Sequence, residues 1–77
     1  IVLPGGIGTL EEFFEIWTSK YLGFHKKPLV VCDPDGVFAQ LRTGLDYLVD
    51  LNFMNLKQDS LVSWVSDIPS ALKAIGI

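Results

Sequence analysis

The 77-residue chain has little of what most catalytic or metal-binding chemistry uses, with one cysteine and one histidine. A lone cysteine excludes an internal disulfide, and no Cys/His cluster has the spacing of a zinc site. Such thiol usage fits a reducing cytoplasm. Basic residues are also scarce: six Lys and Arg against nine Asp and Glu leave a formal net charge of −3. Apart from Lys26-Lys27 the cations are scattered. That balance argues against nonspecific nucleic-acid binding and against attraction to an acidic membrane, which both call for a basic surface. No apolar run approaches the roughly 20 residues that span a bilayer, and no signal peptide is visible. Repeats and low-complexity segments are missing too.

Apolar residues, by contrast, are abundant, at 49% of the chain. A chain this short buries only about 60% of its unfolded surface. Some apolar surface is therefore expected to face a further part of the chain or a partner subunit. The sequence opens at Ile1, without Met, directly in a strand-like run. It is expected to be the C-terminal piece of a longer protein.

The pattern alternates strands and helices. Ile1 to Leu3 reads as a strand that Pro4 stops, because proline has no N–H for the ladder. Leu10, Phe13, Phe14, Ile16, Trp17 and Tyr21 recur at helical spacing, predicting a helix over residues 9–22. Gly23 is its stop signal. Leu29-Val30-Val31-Cys32 is a continuous apolar run, as in a strand covered on both faces. Asp33-Pro34-Asp35-Gly36 is turn chemistry. Residues 37–51 read as a second helix, 52–59 as a loop, 60–65 as a third strand. Asp67 caps a last short helix with Pro69 in its first turn. Three strands and three helices in this order predict an α/β fold: half of a three-layer Rossmann-like parallel sheet with flanking helices. Ligands bind such sheets at the carboxyl ends of the strands.

The loop after the first strand, Pro4-Gly5-Gly6-Ile7-Gly8-Thr9, lies at such an end. Glycines let a backbone approach an anion closely, and a helix N-terminus offers unpaired N–H groups. Gly5, Gly6, Gly8 and Thr9 could hold a phosphate, or the loop could be a plain turn. It is neither a Walker A loop nor the dinucleotide fingerprint. Thr9-x-x-Glu12 has two readings. It is the spacing of a capping box, with Thr9 as N-cap. It also sets a carboxylate one turn above a phosphate seat, where it could reach a sugar hydroxyl or stabilise an oxocarbenium-like centre.

Pro4-Gly5-Gly6-Ile7-Gly8-Thr9-Leu10-Glu11-Glu12 resembles the Pro-Gly-Gly-x-Gly-Thr-x-x-Glu signature of the LONELY GUY (LOG) family, long called lysine decarboxylase-like. Trp17-Thr18, Tyr21 to Pro28 and Asp33 to Gly36 are similar to that family as well; the likeness weakens after about Asn52. The resemblance implies hydrolysis of the N-glycosidic bond of an adenine-type (cytokinin) nucleoside 5′-monophosphate to free base and ribose 5-phosphate. It implies no metal and no organic cofactor. Gly5, Gly6, Gly8 and Thr9 would bind the 5′-phosphate, and Glu12 would engage the ribose and assist cleavage. The family also uses an arginine upstream of this stretch, for which Arg42 is no substitute. Residues 1–77 would then be the C-terminal half of one nucleotide-binding domain, working as a cytoplasmic homodimer that pairs through helices. Two alternatives stand beside this: a noncatalytic module for AMP-like nucleotides, and an inactive fragment lacking the arginine.

The remaining candidates have plainer accounts. His25-Lys26 resembles the pair that holds pyridoxal phosphate, but it sits in a connector and is read as structural or interfacial. Cys32 reads as a small buried hydrophobe. Asp33 and Asp35 read as turn caps rather than metal ligands. Phe13, Phe14, Trp17 and Tyr21 read as core, with part of the stripe left for an interface; Trp17 could instead border the base pocket. Trp64 reads as core or edge cover.

Overall fold

A computed structural model describes residues 1–77. The elements run α1 (Ile7–Tyr21), β1 (Leu29–Cys32), α2 (Ala39–Asp50), α3 (Leu56–Asp59), β2 (Val62–Val65) and α4 (Ile68–Ala74). β1 and β2 pair in parallel, with Leu29 opposite Val62 and Cys32 opposite Val65.

The expected three strands and three helices become two strands, one isolated bridge and four helices. Val2 alone represents the first strand, bridging Val31 in parallel. Its N–H donates to the Val30 carbonyl at 2.7 Å, and its carbonyl accepts from the Cys32 N–H at 2.8 Å. In a parallel pair, consecutive residues aim their polar groups at opposite edges. Ile1 and Leu3 therefore direct theirs away from β1, and Pro4 ends the run. The extra helix is the single turn α3, inside what the sequence suggested was a loop. Asn55 caps it: its side chain accepts from the Gln58 N–H at 2.7 Å, while the Gln58 side chain accepts from the Asn55 N–H at 2.9 Å.

All four β1 residues are buried, as a strand covered on both sides requires. Alternation along the strand sorts them between two cores. Leu29 and Val31 join Phe13 and Trp17 of α1, Phe38, Leu45 of α2 and Val62. Val30 and Cys32 meet Ala71 of α4. So α1 and α2 cover one face and α4 the other. This is a small α/β domain in three layers, compatible with half of a Rossmann-like fold.

The helix ends follow local chemistry. Gly23 has φ of 87°; its N–H donates to the Lys20 carbonyl and that of Phe24 to Ser19, closing α1 in a Schellman motif. Asn52, with φ of 66°, closes α2 in the same way. No helix is long and apolar enough to cross a membrane.

Candidate active site

The site begins where the edge strand ends. α1 starts at Ile7, two positions earlier than the apolar spacing suggests, with Gly6 as N-cap. The first intrahelical bond runs from the Leu10 N–H to the Gly6 carbonyl, at 3.1 Å. Glycine has no side chain with which to cap, and no side-chain hydrogen bond closes this end. The N–H groups of Ile7, Gly8 and Thr9 therefore point out of the helix with no partner one turn back. They form the positive end of a 15-residue helix.

This start corrects the capping-box reading. Thr9 is the third residue of α1 rather than its N-cap, and the first turn contains no acidic residue. Glu12 lies a turn further on and is exposed. Its carboxylate is thus not engaged in capping.

The glycines differ in their reasons. A Cβ on Gly5 would collide with Oγ1 of Thr9, which folds back over it. Gly6 and Gly8 are not crowded: a Cβ on either would have no neighbour within 4 Å. Nor is either among the glycines with positive φ. Nothing inside the chain demands glycine at these two positions.

Thr9, Glu12, Phe13 and Ile16 stand three or four residues apart and so share one side of α1. With Ile1, Val2, Leu3 and Pro4 they line a cavity of about 300 Å³. Thr9 and Glu12 are thus brought together beside the uncapped helix end. The spacing 9, 12, 13, 16 could have marked Phe13 and Ile16 as wall residues; the part played by Ile1 to Pro4 needed the strand to be placed against the helix.

Trp17 is not in that cavity. It is buried, its Nε1–H donates to the Gln58 carbonyl at 2.9 Å, and it borders a separate groove between α1 and α2. That groove, of about 390 Å³, is also lined by Phe14, Tyr21, Leu45, Leu48 and Met54. A larger cavity of about 580 Å³ lies at the carboxyl ends of β1 and β2, and several of its polar groups already have partners. Asp33 accepts from the N–H groups of Val37 and Phe38 at 2.9 and 2.7 Å, the turn-capping role expected of it. Thr43 Oγ1 donates to the Ala39 carbonyl. The Arg42 guanidinium sits 5.4 Å from the centre of the Trp64 ring. Cys32 is wholly buried, and no three His, Cys, Asp or Glu residues cluster as metal ligands would.

The family described as "Possible lysine decarboxylase" matches residues 1–75. The chain belongs to this family, the LOG family. Relatives named cytokinin riboside 5′-monophosphate phosphoribohydrolase share its sequence. The protein from Mycobacterium tuberculosis is 45% identical over 74 residues, covering 96% of this chain and 40% of its own. That from Mycobacterium marinum is 42% identical over 74 residues, with the same coverage. One from Arabidopsis thaliana is 46% identical over 55 residues, covering 71% of this chain and 25% of its own. The LOG-family chain described above thus spans 40% of the length of the two mycobacterial relatives.

Proposed function

We propose that this chain holds the phosphate and ribose of a nucleoside 5′-monophosphate while its N-glycosidic bond is hydrolysed. Water adds to C1′ of the ribose, the C–N bond breaks, and the base departs with the bonding pair and a proton. The products are free base and ribose 5-phosphate. The N–H groups of Ile7, Gly8 and Thr9, with the Thr9 hydroxyl, receive the 5′-phosphate. Gly5, Gly6 and Gly8 let it approach. Glu12, on the same side of α1, engages the ribose and stabilises positive charge developing at C1′.

The observation that carries this reading is the start of α1 at a glycine N-cap. It leaves three N–H groups for an anion and relieves Glu12 of a capping role. The uncrowded Gly6 and Gly8 support it, because an approaching ligand supplies the reason for glycine that packing does not. The names of the relatives favour a cytokinin base. On this reading residues 1–77 are the C-terminal half of a single Rossmann-like domain, whose upstream half supplies an arginine. The protein works in the cytoplasm as a homodimer and needs no cofactor. The test is chromatographic detection of free base from AMP and isopentenyladenosine monophosphate, beside the unphosphorylated nucleosides. Base release from the monophosphates alone is expected; equal release from the nucleosides would contradict a phosphate seat.

Binding without hydrolysis is the second reading. It is favoured by the placement of Arg42 over Trp64 rather than beside the glycine loop. Calorimetric binding of AMP by the intact protein, with no adenine released over hours, would select it.

A further inference from the structure

His25 stands in the connector between α1 and β1, and two hydrogen bonds determine where its proton lies. The Lys27 backbone N–H donates to Nδ1 at 3.2 Å. Nδ1 therefore presents its lone pair, and a neutral ring must carry its proton on Nε2. Nε2 lies 3.2 Å from the Ile16 carbonyl, a group that can only accept. Both partners select the same tautomer. Ile16 is one turn beyond Glu12 and lines the same cavity. Lys27 lies two residues before β1, whose residues are all buried. The ring thus joins the cavity wall to the backbone that enters the centre of the sheet.

We propose that His25 is a positioning residue: its neutral Nε2–H form ties the Glu12-bearing side of α1 to the entrance of β1, and a second proton unties it. An imidazolium has two donors and no acceptor. Its Nδ1–H would face the Lys27 N–H, and that bond is lost. The charged or titratable groups on the two elements are Glu11, Glu12, Glu15, Lys20 and Tyr21 of α1, and Lys26 and Lys27 of the connector. No side chain among them hydrogen-bonds to the ring.

The tie is a feature of the fold; its effect on turnover rests on the reaction proposed above. Two readouts on the intact protein separate them. Ring nitrogen NMR at about pH 8 should show the Nε2–H tautomer. Hydrogen exchange should show the Lys27 amide losing protection by about fivefold, the worth of one hydrogen bond, as pH falls from about 8 to 5, the range in which imidazoles titrate. In His25→Gln, which has no titrating proton, Lys27 protection should not change with pH beyond the intrinsic exchange rate. The acid limb of base release should flatten in the same variant. An Nδ1–H tautomer, or Lys27 protection that is constant in the wild type, would overturn the tie. An intact tie with identical acid limbs in both proteins would overturn the positioning role. An intact tie with no base release at any pH would count against the reaction and leave the tie standing.

Discussion

Gly8 is the residue at which stability and function should part. It is the second residue of α1, where alanine is the better helix former by no more than about 1 kcal/mol, and a Cβ there meets nothing. Gly8→Ala should therefore leave the thermal midpoint unchanged or slightly raised. In the proposed seat the same Cβ lies in the path of the phosphate, and losing one charge-assisted bond weakens AMP by roughly tenfold or more. Calorimetry beside thermal melting checks both halves; unchanged affinity would mean that the loop is only a turn. Much of the candidate site was legible as a motif, since the glycine loop and Glu12 stand out before any coordinates. The role of Thr9 was not. Thr-x-x-Glu looks the same whether threonine starts the helix or lies one turn inside it, and the glycine that does start it has no side chain to announce itself. Trp17 shows the converse: helical spacing places it on the inward stripe, but spacing cannot say which of two grooves it borders.

At the scale of elements, β1 was legible because a short apolar run with two valines, set between Pro28 and the Asp33–Gly36 turn, suits a strand covered on both faces. The first strand was over-read. An apolar triplet before proline has the composition of a strand, but Val2 alone points its polar groups at β1. α3 was missed because Phe53, Met54 and Leu56 show no periodicity; the available signal was Asn55-x-x-Gln58, itself a capping-box spacing. Asn55→Ala should cost about 1 kcal/mol in urea denaturation, mostly by freeing the turn that receives the Trp17 N–H. At α4 the cap is ionisable. The Asp67 carboxylate accepts from the Ser70 N–H at 2.7 Å, and hydrogen bonding at Ser70 lowers its pKa below the ordinary carboxylate value. A group depressed in the folded state stabilises it above the unfolded pKa, and that contribution fades as pH falls through the folded one. Asp67→Ala should therefore be less stable than wild type at neutral pH, and the two denaturation curves should converge in strong acid. A gap that persists undiminished there would show that charge plays no part.

The whole molecule is three thin layers with a small core: ten of 77 residues are buried and none of them is polar. Phe14 and Tyr21 of α1 and Leu48 of α2 remain exposed around the groove that Trp17 borders. The surplus of apolar residues read from composition is visible here as surface. If the proposed homodimer pairs through these helices, Phe14→Glu should shift the intact protein from dimer to monomer in analytical ultracentrifugation; a dimer of unchanged affinity would place the interface elsewhere. The proposed chemistry depends most on Glu12. Glu12→Gln keeps the shape of the side chain and removes its charge, and the structure gives it no capping duty to lose. The most direct measurement is the rate of free-base release from AMP and isopentenyladenosine monophosphate by the intact protein and this variant, with binding followed in parallel. A fall in turnover on the order of 10²–10³-fold with affinity little changed is the expected result. Turnover equal to wild type would contradict a catalytic Glu12, and with it the reading of the cavity beside the glycine loop as the active site.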